Sequence, residues 1–207
     1  MIPGHAKLVE CPYCGSKKEL MTIVSGNTFD AVYWSDNKME APMLPRVSPV
    51  QKCPECGKYY IERLQNYTYG DDYSGEEGWL TYDEWKEAYR QFSKPRTILP
   101  NDYATLMLCL IQAYNDRFRN NFIVEIDPQK DEAFVDGIIL KFIKFFDWEQ
   151  GSPLFKAELY REAGEMEKCS EVLQAINPSD LDDFNRTIFF EIKERMERSD
   201  RKVFRIN

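Results

Sequence analysis

Hydrophobic and polar positions follow two rhythms along this chain, a period near two in its first third and one of three to four beyond residue 80. Glu19–Val24 and Thr28–Ser35 are rich in β-branched and aromatic residues. The Gly-containing Ser25-Gly26-Asn27 between them predicts a hairpin. On the second run Phe29, Ala31 and Tyr33 share one face, while Asp30, Val32 and Trp34 share the other. Met39–Pro49 contains Pro42, Pro45 and Pro49 and reads as an extended connector. Lys58–Leu64 predicts a third short strand, with Tyr60 and Leu64 as packing candidates.

Helical spacing takes over after Trp79. Thr81-Tyr82-Asp83-Glu84 is a capping box, and the helix it opens runs to about Phe92 with Trp85, Ala88, Tyr89 and Phe92 on one side. Pro100 suits a first helical turn, and Tyr103, Leu106, Leu110, Tyr114 and Phe118 form the next stripe. Asp127-Pro128 reads as a cap and first residue. It is followed by Phe134, Ile138, Phe142 and Phe145, a stripe widened by Val135, Ile139, Ile143 and Phe146. Ser152-Pro153, Gly164 and Asn177-Pro178 punctuate the rest. They predict a helical hairpin of Leu154–Ala163 with Met166–Ile176, then a last helix carrying Leu181, Phe184, Ile188, Ile192 and Met196.

Asn66–Trp79, with three glycines and four acids, reads as a loop and divides the chain. The expected class is therefore α+β. Residues 1–75 form a small β ribbon with an enlarged central hairpin, and residues 76–207 an all-α domain of antiparallel helical hairpins.

The β-rich part contains two matched tetrapeptides, Cys11-Pro12-Tyr13-Cys14 and Cys53-Pro54-Glu55-Cys56, each followed by glycine. Such pairs have the spacing of a four-thiolate metal site. Proline presets a tight turn, and Gly15 and Gly57 can take a positive φ that lets backbone N–H groups face the sulfurs. Thiolate-only coordination suits zinc or iron. Four protein ligands leave no open position, so a zinc ion here would be structural. The loops resemble those of rubredoxin, which implies iron electron transfer as the alternative. Disulfides are disfavoured, since the chain begins without an apolar signal core.

Charge narrows the partners. The net charge is −8, and the acidic excess lies almost wholly beyond residue 75. That balance disfavours nucleic acid, whose binding depends on neutralising phosphates, and favours a protein partner with a basic surface. Lys7, Lys17, Lys18 and Lys52 are the only candidate basic patch near the cysteines. No apolar run approaches the roughly 20 residues of a membrane span, and a cytoplasmic protein is expected.

Other chemistry is sparse. His5, the only histidine, reads as a solvated residue of the N-terminal tail, and no Walker or dinucleotide motif is present, so no enzyme is expected. Tyr67, Tyr69, Tyr73 and Trp79 are a candidate partner platform, and Asp71, Asp72, Glu76 and Glu77, which lack the alternating ligands of a calcium loop, read as a solvated linker that could hold a cation. Asp36 beside Trp34 reads as a turn cap, Cys109 and Cys169 as buried small residues, and the arginine-rich Arg195–Arg205 as a solvated helix end.

Ala157, Tyr160, Gly164, Cys169 and Leu173 stand in the small, aromatic, glycine, small and large apolar order of one tetratricopeptide repeat, which this stretch resembles. The layout of ribbon, then Phe29–Asp36, then helical hairpins is similar to uncharacterised bacterial proteins with a zinc ribbon and a helical-repeat domain. That resemblance implies architecture and a bacterial setting, and no activity.

Overall fold

The computed structural model describes residues 1–44, 46–73, 79–93, 98–119, 126–146 and 151–206. Within them the chain is α+β, with short antiparallel strands carrying the cysteines ahead of six α-helices. The strands are β1 (Ile2–Pro3), β2 (His5–Glu10), β3 (Lys17–Leu20), β4 (Ile23–Ser25), β5 (Val32–Tyr33), β6 (Met39–Glu40), β7 (Val50–Lys52), β8 (Tyr59–Ile61) and β9 (Tyr67–Asp72). The helices are α1 (Tyr82–Phe92), α2 (Pro100–Asn115), α3 (Pro128–Phe145), α4 (Pro153–Glu162), α5 (Met166–Gln174) and α6 (Asp183–Glu197). They form two compact units: Met1–Ala31 with Glu40–Leu106, and Val32–Met39 with Met107–Asn207.

In the first unit β2 is the centre of an antiparallel sheet ordered β3-β2-β9, and β7 and β8 pair as a hairpin. Val9, Leu20 and Tyr60 pack with Cys11 and Cys53 in one apolar cluster, so the small core of this unit is built around sulfur. α1 carries the predicted capping box, with Thr81 Oγ1 accepting the Glu84 N–H at 3.3 Å and Glu84 Oε2 the Thr81 N–H at 3.0 Å. Its stripe of Trp85, Ala88, Tyr89 and Phe92 is buried.

Three strand predictions are corrected. Glu19–Val24 and Thr28–Ser35 form no hairpin. β3 pairs with β2, β4 pairs with β1, and Phe29 is 75% exposed. The reason is local: Asn27 Oδ1 accepts the Phe29 N–H, Ala31 N–H returns to the Thr28 carbonyl, and Asp30 sits at φ 59°. The backbone thus closes a turn on itself. Residues 67–72 are not linker but strand β9, where Gly70 lies close against the Leu8 side chain. The third predicted strand ends at Ile61, Glu62–Leu64 forms a 3-10 turn, and Leu64 is exposed. His5 is exposed as expected, but within β2 rather than in a tail.

In the second unit Asp127 and Ser152 cap α3 and α4 as predicted. Gly164, at φ 77°, turns the chain from α4 into α5. Leu154, Ala157, Cys169, Leu173, Phe189, Ile192 and Phe204 form the core against which Tyr160 packs. The last helix starts later than predicted. Asn177 caps only a 3-10 turn at Pro178–Asp180, and Asp182 caps α6 through the Asn185 N–H at 2.8 Å. Phe145, Phe146 and Phe184 are exposed rather than core.

The C-terminal segment is not a solvated helix end. Val203 and Phe204 are buried, Ser35 N–H donates to the Phe204 carbonyl at 2.9 Å, and Ile206 N–H donates to Tyr33 at 2.8 Å. Arg201 bonds the Glu162 carbonyl at 2.8 Å and Glu132 at 2.6 Å, and pairs with Asp136. Asp36 does cap its turn, accepting the Lys38 N–H at 3.3 Å, and Trp34 is buried. Its carboxylate is also fully buried, paired with Arg119 and bonded by Asn115 Nδ2 at 3.1 Å. Burial opposes the Arg119 charge, but Asp36 and then Asp116 outweigh it and raise the guanidinium pKa. Glu158 is similarly matched by Arg161, which also reaches the Lys202 carbonyl at 3.0 Å.

Glu162 is the exception. Oε2 accepts from Asn115 at 2.7 Å, while Oε1 has no hydrogen-bond partner among the described residues. Burial first, then the Glu158 and Asp36 charges, hold its carboxyl well above the usual range.

Two outcomes are expected in chemical denaturation. Asp36→Ala removes one of the two carboxylates facing the buried Arg119 guanidinium, Asp116 remaining, and should cost about 3 kcal/mol, whereas a loss below about 1 kcal/mol would show that the pair is not structural. A carboxyl whose pKa is raised by folding costs stability as pH climbs from its unfolded value of about 4.3 toward the folded one. Glu162→Gln should therefore flatten the decline in stability between about pH 5 and 7. An unchanged slope would place that decline elsewhere.

Candidate metal centre

The two cysteine loops are copies of one turn. The first joins β2 to β3 and the second joins β7 to β8. Gly15 N–H donates to the Cys11 carbonyl at 2.9 Å, and Gly57 N–H to Cys53 at 3.0 Å. Cys11 N–H donates to Ser16 at 2.8 Å, and Cys53 N–H to Lys58 at 2.9 Å. Gly15 and Gly57 take φ values of 74° and 69°, the left-handed region the sequence pattern anticipates.

These turns bring the four predicted ligands together. The sulfurs of Cys11, Cys14, Cys53 and Cys56 all lie within 4.8 Å of one another. Across the two loops, Cys11 and Cys56 are 3.7 Å apart and Cys14 and Cys53 3.6 Å. A tetrahedral ion with metal–sulfur bonds of about 2.3 Å requires sulfur separations of about 3.8 Å, so the donor set fits a metal. Cys11 and Cys53 are buried, Cys56 is half-buried and Cys14 is exposed, and as thiolates at this spacing the four sulfurs would repel one another.

The surroundings favour thiolates unequally. Burial opposes ionisation of Cys53, yet the Cys56 N–H, the Ser16 hydroxyl and the Glu55 N–H outweigh it and bring the thiol down to about 6. The Ser16 hydroxyl and N–H lower Cys14, and burial raises Cys11. The Lys58 N–H favours the Cys56 thiolate, but burial and the three neighbouring sulfurs push it up to about 12. A cation among the sulfurs removes that mutual repulsion.

The second loop is locked to α1. Gln91 Oε1 accepts the Tyr59 N–H at 3.0 Å, and its Nε2 donates to the Tyr59 carbonyl at 2.6 Å, so the side-chain amide takes the place of a neighbouring strand. Tyr59 O–H donates to Glu87 at 2.6 Å, and Lys52 pairs with Glu84 at 3.1 Å. Neither Gln91 nor Ser16 stands out in the sequence. Ser16 Oγ lies 3.2 Å from Cys14 Sγ and 3.1 Å from Cys53 Sγ, and its only signal is its place just after the first Cys-x-x-Cys-Gly.

The other candidates disperse. Tyr67 and Tyr69 form an edge-to-face pair at 5.5 Å on β9, 50% and 65% exposed, with Lys7 Nζ 4.1 Å from the Tyr67 ring. Trp79 instead tilts against Trp85 at 6.5 Å, and Tyr73 is half-buried beyond β9. Lys7 pairs with Glu62, and Lys18 bonds Gln51 at 2.6 Å, which with the Lys52–Glu84 pair engages three of the four basic candidates. Asp71 and Asp72 lie on β9, whereas Glu76 and Glu77 fall outside the described residues. Cys109 and Cys169 are buried, and burial, then the Glu158 charge, pushes the Cys169 thiol up to about 12.

No family model matches the chain, and no curated protein or solved structure matches it. Fold and sulfur geometry together define an α+β chain whose cysteine cluster is consistent with a zinc-ribbon-like knuckle. Among the described residues, no helix is long and apolar enough to cross a membrane.

Cys53→Ser should abolish tight one-to-one metal uptake, and the Tyr59–Gln91 bonds should carry the damage into α1. Circular dichroism should then lose the α1 share of helix and keep that of the second unit. Retained metal affinity with an unchanged spectrum would contradict this coupling. Because protons compete for the thiolates, metal affinity should fall as pH falls, read with a chromophoric chelator.

Proposed function

We propose that this chain is a zinc-stabilised protein-interaction module, cytoplasmic and without catalytic activity of its own. The observation that carries the metal half is the gathering of four sulfurs from two matched turns within 4.8 Å of one another, with the two cross-loop separations of 3.6 and 3.7 Å close to a tetrahedral edge. Four thiolates close the coordination shell, which suits a structural zinc ion and leaves no position for a reacting water.

The second unit supports the interaction half. A cavity of about 400 Å³ is walled by Tyr33, Trp34, Leu154, Phe155, Phe184 and Ile188 among others, and Phe184 is 57% exposed. A concave, mainly apolar surface of this size suits the apolar side chains of a partner protein. The α4–α5 hairpin with α6 packed on both helices supports the tetratricopeptide-like reading of this unit. The net charge of −8 favours a partner with a basic face. Nucleic acid is the weaker reading, since Lys7, Lys18 and Lys52 already have acceptors.

Rubredoxin-like iron electron transfer is the second reading, because the N–H groups facing the sulfurs serve iron as well as zinc. Elemental analysis and the visible spectrum of protein purified without added metal separate the two. One zinc per chain and no colour is the expected result, and iron with a visible charge-transfer band would replace it with the redox reading. For the interaction half, a partner recovered with the wild-type chain should be lost with Phe184→Glu. Equal recovery would remove the cavity from the proposal.

A further inference from the structure

We infer that Ser16 is a positioning residue of the metal centre, its hydroxyl a hydrogen-bond donor shared between one thiolate of each cysteine loop. The inference rests on the metal-site reading above and goes beyond it by naming a residue that is not a ligand.

The geometry is specific. Cys14 belongs to the first loop and Cys53 to the second, and the Ser16 oxygen is within hydrogen-bonding reach of both sulfurs. A hydroxyl has one proton, so it donates to one sulfur at a time, and either choice leaves it 3.1–3.2 Å from the other. Among the described residues, the other groups that favour the thiolates are backbone N–H groups, each from the loop of the sulfur it serves: Tyr13, Cys14 and Ser16 in the first, Glu55, Cys56 and Lys58 in the second. The Ser16 side chain is thus the donor that spans the loops. The equivalent position of the second loop is Lys58, whose Nζ lies instead 4.8 Å from the Tyr13 ring centre. The two loops therefore share a backbone but not this side-chain bond.

The consequence follows from how outer groups act on a metal. A hydrogen bond to a coordinated thiolate draws electron density from sulfur, and a donor that reaches both loops also fixes their separation before the ion arrives. Loss of such a partner typically weakens metal binding by roughly 10–100-fold. The turn itself does not need the hydroxyl, because the Ser16 main chain makes its own bond to Cys11.

The test is titration of the full chain with cobalt(II), then displacement by zinc against a chromophoric chelator, for wild type, Ser16→Ala and Ser16→Thr. Wild type should bind one cobalt with an intense thiolate charge-transfer band. Ser16→Ala should shift that band and bind zinc roughly tenfold or more weakly, with Ser16→Thr close to wild type in both. An alanine variant with wild-type spectrum and affinity would overturn the inference while leaving the metal site intact. Equal weakening in alanine and threonine variants would overturn it too, as a packing effect. No cobalt uptake by the wild-type chain would overturn the metal-site reading itself, and the inference with it.

Discussion

Charge withdrawn from water has to be matched on the spot, and both units of this protein are arranged around that constraint. In the first unit the charge is on sulfur. The apolar cluster there is small, with Val9, Leu20 and Tyr60 around two of the cysteines, so the ligands are themselves core residues. Strands of two to six residues have little independent stability. A cation that satisfies four thiolates at once turns the least favourable feature of that core into its fastening.

In the second unit the charge lies on carboxylates and guanidinium groups. Asp36 with Arg119, and Glu158 with Arg161, are nearly inaccessible to solvent, and each pair is reinforced by neutral amide or carbonyl partners. These pairs fasten irregular segments to helices, Val32–Met39 through Asp36 and the C-terminal segment through Arg161 and Arg201. A buried pair adds little net energy over an apolar contact, but leaving one partner alone is costly. That asymmetry specifies where these segments sit more than it stabilises them. Glu162 meets the same constraint differently: burial and the neighbouring carboxylates raise its carboxyl pKa, which disfavours the charged form.

The fastening has reach. β8 leaves the second cysteine loop and its first residue, Tyr59, is held at N–H, carbonyl and phenol by Gln91 and Glu87 of α1. The second cysteine loop is therefore connected to a helix by directional hydrogen bonds. The second unit keeps its own apolar core and its own concave surface, whose walls come from four separated stretches of sequence.

The sequence by itself determined what depends on neighbours in the chain. The Cys-x-x-Cys-Gly turns, the Thr81 box, the caps at Asp127 and Ser152 and the helical stripes of α1 to α5, short of Phe145 and Phe146 at the end of α3, are short-range features, written within a few residues. The four cysteines of the cluster were legible for the same reason. Strand pairing was not: β3 turns back to β2 because the first cysteine loop is itself the hairpin turn, while the Phe29 and Ala31 N–H groups are taken up by Asn27 and Thr28 and the Asn27 N–H by Met43. Tyr67–Asp72, glycine- and acid-rich, becomes a strand only because β2 presents a free edge to it. Phe204 and Asp36 fall in stretches that read as solvent-facing in sequence yet are buried, and Arg201 is held in ion pairs, because their partners lie some 65 to 169 residues away. Only the tertiary structure decided those placements, since burial of a charge is settled by which distant group arrives to match it.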